Sequence, residues 1–234
     1  MLKEVKMVDS NNLNITVAKE VKELLKPGVL VAENVQISEA TDYLWAEIDE
    51  ISEKYCEMFR DKMPSDIYEL SYARDLYKAI GVNPTKTRPS SEALLRRIMQ
   101  NKELYRINNL VDTWNLESLE FFLPVGLYDI DKIASTEISI RKGNEGEFFE
   151  GIRKSDVNVG DRLCIADSEG PFGSPTSDSM RTAITDKTTR VLVLIYAPAH
   201  YPEESLFRML DEGARRTKQY CFGKIVSSRF IPRV

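Results

Sequence analysis

A row of polar side chains follows one side of a predicted helix near the middle of the chain. Its members are spaced by four, three and three residues, which places them on one helical face. Such side chains can hold a polar ligand or orient a water molecule, but helix caps and internal hydrogen bonds use the same residue types. The residues alone favour caps and internal bonds. This polar row consists of Asn108, Asp112, Asn115 and Ser118.

Histidine and cysteine chemistry has little support in the sequence. His200 is the only histidine, and its neighbours in residues 197–202 favour a turn. The three cysteines are far apart and lack the CxxC spacing of a zinc site, so they predict reduced thiols. We therefore expect no metal site, and nothing in the sequence indicates a cofactor. The cysteines are Cys56, Cys164 and Cys221.

The charge of the chain is distributed unevenly. The net charge is −5, yet residues 86–106 carry six basic and two acidic side chains, and residues 213–234 carry six basic and none acidic. This asymmetry permits a basic face that binds phosphates. Solvated helix faces with ordinary salt bridges would give the same pattern, and the sequence leaves both explanations open.

Length and composition predict one globular domain. The 234 residues include 42% apolar and 29% charged side chains. No run of about 18 apolar residues predicts a membrane helix. Residues 1–6 lack the apolar core of a signal peptide, so a cytoplasmic location is expected by default. We expect a helix-rich part over residues 1–122 and a strand-rich part over residues 123–234.

The helix-rich part shows apolar spacings of three and four residues, interrupted by proline and glycine. A short strand is also predicted at residues 29–32. In the third helix, Ser90 is the expected cap, and Arg96 and Arg97 lie near the end that favours cations. The predicted helices span residues 18–25, 41–63, 66–80 and 108–122, with the third helix beginning at Ser90 and ending near Arg97.

The strand-rich part begins after Pro124 and is punctuated by glycines. A helix from Pro202 to about Tyr220 and a last strand complete it. The turn-forming residues 167–179 suggest a loop that covers a pocket or is simply mobile. Helices followed by strands predict an α+β fold with a mixed, mostly antiparallel sheet. The strands are expected at residues 125–128, 138–141, 147–149, 162–166, 190–196 and 224–231.

One segment carries a family motif. It reads Val111-Asp112-x-x-Asn115, then Leu119 and Pro124, then Tyr128-Asp129-x-Asp131-Lys132-Ile133. This pattern resembles the B3/B4 domain in the β-subunit of bacterial phenylalanyl-tRNA synthetase. The resemblance covers about residues 90–196, and its opening motif is its most specific part. The fold implied is that of the B3/B4 editing domain, here as a free-standing protein.

The resemblance implies a reaction. In the synthetase, this domain hydrolyses the ester that joins a wrongly attached tyrosine to the phenylalanine tRNA. Such hydrolysis needs an aimed water molecule and donors for the developing oxyanion, but no protein nucleophile. The expected activity is therefore hydrolysis of a mischarged aminoacyl-tRNA in trans. By the same resemblance, Asn115 is the expected catalytic residue, binding substrate or orienting the water.

The same resemblance implies a substrate pocket with two departures from the family. Gly126 replaces a histidine that shapes the editing pocket, and Leu194 replaces a glutamate that recognises the tyrosine hydroxyl. Burying that hydroxyl without a partner would cost about 1–3 kcal/mol, so an apolar or small amino acid is the better expected substrate. Trp114 is expected to wall the pocket or to pack in the core. The expected substrate-binding residues are Asn108, Asp112, Trp114, Ser118, Gly126, Tyr128 and Leu194.

The expected partner is tRNA or aminoacyl-tRNA. Two alternatives remain open from sequence: a non-catalytic module that binds tRNA or an aminoacyl group, and a sensor of free amino acids. The amino acid, the tRNA and the oligomeric state do not follow from the sequence. The expected tRNA-binding residues are Arg88, Arg96, Arg97, Arg106, Arg215 and Arg216.

Overall fold

The structure is a computed structural model that describes residues 9–153 and 155–231. Over these residues the chain folds as five α-helices and eleven strands. Residues 1–8, on which the expectation about a signal peptide rests, lie outside the described residues, as does Arg233 of the second basic stretch. The expectation of an α+β fold is confirmed.

Five helices lie within the described residues, and four agree with predicted helices before residue 123. Thr41 caps the first, with its hydroxyl accepting from the Leu44 amide at 3.4 Å. The third begins after Pro89, so Ser90 is its first residue and not its cap. The bounds are α1 Asp42–Met58, α2 Glu69–Ala79, α3 Ser90–Met99, α4 Asn109–Phe121 and α5 Glu203–Cys221.

The helix predicted at residues 18–25 is wrong, because this segment forms turns. The Val21 and Leu24 amides donate to carbonyls three residues earlier, which gives tight turns and no continuous helix. Pro27 follows within two residues of Leu25, so the segment is too short to repay the cost of starting a helix. Buried Val21 and Leu25 instead anchor it to the core.

Three sheets account for all eleven strands of the described chain. A four-stranded antiparallel sheet has the order β11-β2-β10-β3, and a five-stranded sheet has the order β1-β4-β7-β8-β9. Only β1 and β4 pair in parallel, so the arrangement is mixed and mostly antiparallel, as predicted. The bounds are β1 Asn14–Val17, β2 Gly28–Glu33, β3 Val125–Asp129, β4 Glu137–Lys142, β5 Phe148–Glu150, β6 Asp156–Asn158, β7 Leu163–Asp167, β8 Gly170–Ser174, β9 Ser177–Asp178, β10 Arg190–Ile195 and β11 Lys224–Phe230.

The segment predicted as a covering loop, residues 167–179, belongs to the five-stranded sheet as β8 and β9. Gly170, with φ of +117°, makes the turn into β8. Arg181 then fixes the turn by donating to both carboxylate oxygens of Asp167, at 2.8 and 3.0 Å. The turn-forming residues therefore connect short strands of a sheet and do not form a loop without regular structure.

The four-stranded sheet separates two cores because side chains alternate along each strand. Tyr128 of β3 and Leu194 of β10 belong to the core that the two large sheets share. Leu127 and Val193 belong to the core on the opposite face, where α1, α4 and α5 pack. This division decides which of the predicted site residues can meet.

Candidate functional site

The predicted substrate-binding residues lie on two faces of the four-stranded sheet. Gly126 pairs with Leu194 across β3 and β10, on the same face as Tyr128, between the two large sheets. Trp114 of α4 packs in the core on the other face. The expected cleft between α4 and the glycine-bearing strand is therefore not formed, because the sheet itself lies between the two groups.

Tyr128 occupies the space beside Gly126. A Cβ atom at Gly126 would lie 2.2 Å from the Tyr128 hydroxyl oxygen, and one at Gly173 of β8 would lie 2.3 Å from the same atom. The Tyr128 hydroxyl also hydrogen-bonds that of Tyr196 at 2.7 Å, and both tyrosines are fully buried. The Tyr128 ring thus fills the space beside Gly126, where the resemblance implies a histidine, and both Tyr128 and Leu194 are fully buried.

A carboxylate that the sequence analysis did not single out borders this buried pair. The Leu127 amide donates to Asp178 of β9 at 3.3 Å. Asp178 keeps some exposed surface, but its carboxyl is surrounded by protein atoms, and this desolvation raises its pKa to about 7. Burial also raises the pKa of Tyr128, with a further contribution from Asp178. No local pattern indicates Asp178, because its turn-forming neighbours predict a loop.

The polar row on α4 is used mostly for helix structure. Asn108 caps the helix by accepting from the Val111 amide at 2.9 Å. Ser118 donates to the Leu123 carbonyl at 2.6 Å. Asn115 differs from both. Its side chain is half-buried, and the side-chain amide has no hydrogen-bond partner among the described residues. Only Asn115 in this row therefore keeps its polar atoms available.

Asp112 connects α4 to the segment before it. Its carboxylate accepts from the Ile107 amide at 3.1 and 3.3 Å and is 1% exposed. Burial raises the pKa of Asp112 to about 6, although the Ile107 amide and the nearby Arg106 oppose this shift. Asp112 thus positions the backbone that carries Arg106.

Trp114 packs against α5. A Cβ atom at Gly213 would lie 2.3 Å from Cη2 of the indole, so the glycine is needed for this close approach. The ring is 1% exposed. Trp114 therefore has the core-packing role and not that of a pocket wall.

A surface groove lies between α1 and residues 97–106, with a volume of about 1020 Å³. Arg97 lies over the Tyr105 ring, 3.9 Å from its centroid, and Arg106 lies over the Trp45 ring at 4.5 Å. We call this the arginine groove. Its basic side chains are Arg60, Arg97, Lys102 and Arg106, and its acidic ones are Asp49, Glu53, Glu57 and Glu103.

The arginine groove brings together two of the six arginines predicted to bind tRNA, Arg97 and Arg106. Each guanidinium rests on an aromatic ring, which holds it in a fixed orientation. Arg97 also donates from Nε to the Glu103 carbonyl at 2.7 Å and from Nη1 to the Tyr105 hydroxyl at 3.0 Å, which leaves its Nη2 group for a ligand. The equal number of acids keeps the groove near neutrality. Binding there would depend on a few oriented contacts and not on a broad positive field.

Arg88 and Arg96, two more of the predicted arginines, pair with Glu92. Their Nε atoms lie 3.6 and 2.7 Å from its carboxylate, and Arg74 donates to it as well. Burial opposes ionisation of Glu92, but the bonds from Arg74 and Arg96 prevail and lower its pKa. Both arginines stay partly exposed, and it is the Arg74–Glu92 pair that joins α2 to α3.

The last two predicted arginines differ although they are adjacent. Arg215 is partly exposed and pairs with Glu212 at 2.8 Å. Arg216 is 6% exposed and is enclosed by carboxylates at the interface of α1, α4 and α5. The prediction that Arg216 contacts tRNA is therefore corrected, because its guanidinium is an internal counter-ion. Its partners are Glu47, Glu117 and Glu120.

Glu117, also absent from the sequence analysis, is the most buried of these carboxylates. One of its oxygens accepts from Arg216 at 2.7 Å, and the other has no partner within the described part of the chain. Burial raises the pKa of Glu117 to about 8, although Arg216 opposes the shift. The helical position of Glu117 could not reveal this, because it depends on where α5 packs.

Two kinds of feature are absent from residues 9–153 and 155–231. No group of three or more histidine, cysteine, aspartate or glutamate side chains is placed to hold a metal ion there. No helix among these residues has the length and apolar character to cross a bilayer.

Comparison with known sequences gives a consistent set of relatives. The chain is 28% identical over 148 residues to the phenylalanine–tRNA ligase beta subunit of Oceanobacillus iheyensis, covering 62% of this chain and 18% of the relative. It is 31% identical over 121 residues to the beta subunit of Carboxydothermus hydrogenoformans, covering 50% and 15%. The matches thus span less than a fifth of these relatives.

The fold has a counterpart among solved structures, and a family model matches the sequence. An N-terminal fragment of the phenylalanyl-tRNA synthetase beta subunit from Pyrococcus horikoshii superposes with a TM-score of 0.51 at 14% identity. The match covers 96% of this chain and 56% of that one, and at this identity it supports the fold alone. The model of the B3/4 domain matches residues 72–201, more than half of the sequence. The chain therefore belongs to the B3/4 domain family.

Proposed function

We infer that this protein binds tRNA and hydrolyses the ester of a mischarged aminoacyl-tRNA. The relatives are named as subunits of a tRNA ligase, but the chain spans only a small part of them, so their activity comes to it as a proposal. The observation that carries the proposal is the arginine groove, which contains two guanidinium groups stacked on aromatic rings. Its lining residues 97–106 precede α4 in the sequence.

The groove suits the unpaired end of a tRNA. Guanidinium groups bind phosphate oxygens with directed hydrogen bonds, and the Tyr105 ring, which is 67% exposed, can stack with a base of any sequence. The acids Glu53 and Glu57 in the same groove would repel a long phosphate backbone. We therefore expect contact with a few nucleotides, with Arg97 and Arg106 as the main phosphate ligands.

The aminoacyl group is proposed to lie at Asn115. Its side chain can accept a hydrogen bond from a water molecule and donate one to the ester, because neither polar atom is used within the described chain. Tyr128 fills the space beside Gly126 and Leu194, so the proposal does not place the amino acid between the sheets. The expectation of an apolar or small amino acid concerns that space and does not apply to a site at Asn115.

Labelled aminoacyl-tRNAs of different amino acids test the proposal directly. The protein should accelerate ester loss for at least one of them. Asn115→Ala should abolish that acceleration while leaving affinity for the same tRNA within about twofold, because the proposed phosphate contacts are elsewhere. Gln100→Ala is the control, since Gln100 is an exposed amide just beyond α3.

A non-catalytic tRNA-binding module is the second candidate. It is favoured by the filling of the space beside Gly126, where the family carries a histidine. Under this alternative no aminoacyl-tRNA loses its ester above the buffer rate, yet tRNA still binds, and more weakly as salt rises. Absence of both hydrolysis and tRNA binding would exclude both candidates.

A further inference from the structure

A second groove, on a different part of the surface, is built mainly from aromatic side chains and has a volume of about 450 Å³. It shares no lining residue with the arginine groove. We call it the tyrosine groove. Its rings are Tyr55, Tyr68, Tyr72, Tyr201, Phe121 and Phe122.

The walls of the tyrosine groove are already in place. The Tyr72 ring meets the Tyr201 and Tyr68 rings edge to face, with centroids 4.9 and 5.6 Å apart. The Tyr201 hydroxyl donates to the Phe121 carbonyl at 3.0 Å, and the Tyr55 hydroxyl donates to the Glu120 carbonyl at 3.3 Å. These bonds fix the Tyr201 and Tyr55 rings, and the edge-to-face contact with Tyr201 positions Tyr72, so a ligand would not have to order these three rings.

Two opposite charges in this groove lack a partner. Glu69 and Arg208 both line it, and neither forms a salt bridge or a side-chain hydrogen bond with any described residue. Arg208 lies 5.9 Å from the centroid of the Phe121 ring. The remaining charged lining residue, Glu120, is already paired with Arg216. One free carboxylate and one free guanidinium therefore face the same cavity.

Two helix ends of opposite polarity meet at the same place. α4 ends at the groove with Phe121 and Phe122, and helix C-termini favour cations. α5 begins there with Pro202 and Ser205, and no side chain caps its first turn. Its amides therefore remain available to an anion. The groove is thus polarised from one side to the other.

We propose that the tyrosine groove binds a free α-amino acid with an aromatic or aliphatic side chain. The ammonium group lies toward Glu69 and the end of α4, and the carboxylate lies toward Arg208 and the start of α5. The side chain packs between the tyrosine rings. A cavity of this size is within the usual range of about 300–1,000 Å³ for small-molecule sites. The inference does not depend on the tRNA proposal, because its site is separate.

Titration calorimetry with three related ligands tests the two charges separately. Phenylalanine carries both charges, phenethylamine only the ammonium, and 3-phenylpropionate only the carboxylate. At equal ionic strength, phenylalanine should bind at least about tenfold more tightly than either analogue, because each lost charge removes one charge-assisted contact. Leucine should also bind, and serine should bind at least about tenfold more weakly than leucine, because it buries less apolar surface.

Two variants locate the charges. Glu69→Gln should weaken binding of phenylalanine and phenethylamine about tenfold and leave 3-phenylpropionate unchanged. Arg208→Gln should weaken the binding of phenylalanine and of 3-phenylpropionate and leave the binding of phenethylamine unchanged. Both side chains are exposed, so the melting temperatures should match the wild type. Glu53→Gln and Arg60→Gln, in the arginine groove, are matched controls that should leave the affinity for all three ligands unchanged.

Three outcomes would overturn the inference. The first is no binding of phenylalanine or leucine at millimolar concentration. The second is phenethylamine binding as tightly as phenylalanine, which would mean a site for cations alone. The third is equal weakening by the arginine-groove controls, which would place the ligand in the other groove. None of these titrations contains tRNA, so their failure is distinct from failure of the tRNA proposal.

Discussion

The Arg216 guanidinium lies 2.7 Å from a carboxylate oxygen of Glu117, inside the interface between α4 and α5. The same guanidinium also bonds Glu47 and Glu120, so one cation serves three carboxylates. A buried group of this kind is costly to disturb, because removing the cation leaves Glu47 and Glu120 without their counter-ion and Glu117 without its hydrogen-bond donor in a poorly solvated place. The packing of α5 against α4, the helix that carries Asn115, thus depends on Arg216.

Arg216→Ala should lower the free energy of unfolding by roughly 3–5 kcal/mol, the range for breaking one side of a buried ion pair. Its neighbour gives a matched control: Arg215→Ala should cost less than about 1 kcal/mol, because Arg215 is partly exposed and its pairs are screened by water. Urea unfolding of the three proteins measures both values. Similar losses for the two variants would contradict the buried counter-ion.

Gly213→Ala should destabilise the protein by about 1–3 kcal/mol, because the new methyl group would overlap the Trp114 ring. Trp114→Phe alone should also destabilise, by leaving a cavity. The double variant should recover part of the Gly213→Ala loss, since the smaller ring makes room for the methyl group. Thermal or urea unfolding of the wild type, the two single variants and the double variant completes a double-mutant cycle. If the loss in the double variant equals the sum of the two single losses, the Gly213–Trp114 contact is contradicted.

Much of the local structure could be predicted, and the failures have physical causes. Periodicity and breakers located α1 to α4 within a few residues. They could not show that Arg215 stays partly exposed while Arg216 is buried, because adjacent residues on a helix point about 100° apart and only the packing of α5 decides between them. Likewise, the resemblance placed Gly126, Tyr128 and Trp114 in one pocket, but the face of the sheet on which α4 packs depends on pairing between distant strands, which the sequence does not show.

Asp112→Asn should make stability less dependent on pH. Burial raises the folded-state pKa of Asp112 to about 6, above its usual 3.8, so the folded protein binds more protons than the unfolded chain between these values. The stability from this group is complete below about pH 4 and is lost as the pH rises through about 6. The unfolding free energy of Asp112→Asn relative to wild type should therefore rise by roughly 3 kcal/mol from pH 4 to pH 7.

Asparagine keeps an oxygen that can accept from the Ile107 amide, so Asp112→Asn isolates the charge. Asp112→Ala is the comparison, because it removes the acceptor as well and should destabilise the protein at all pH values. Denaturant titrations at several pH values provide the test. A constant difference between Asp112→Asn and wild type would mean that Asp112 titrates normally.

Arg97→Gln and Arg106→Gln should each weaken tRNA binding and reduce the salt dependence by about one counter-ion. Each removes a proposed phosphate ligand from the arginine groove. Arg229→Gln is the control, since Arg229 is an exposed arginine on β11, outside the groove. Fluorescence anisotropy with labelled tRNA at several salt concentrations measures the slopes. Equal effects of all three changes would indicate non-specific attraction and no defined groove site.

Cys56 should be the thiol that reacts first with iodoacetamide near pH 8. Burial raises the pKa of Cys164 to about 11 and that of Cys221 to about 12, so almost none of either is the reactive thiolate. Cys56 is partly exposed and lines the arginine groove. Saturating tRNA should therefore slow its alkylation, as followed by mass spectrometry of tryptic peptides. Phenylalanine should not slow it, because the tyrosine groove is separate. If tRNA binds while Cys56 reacts at its free rate, the tRNA contact lies elsewhere on the protein.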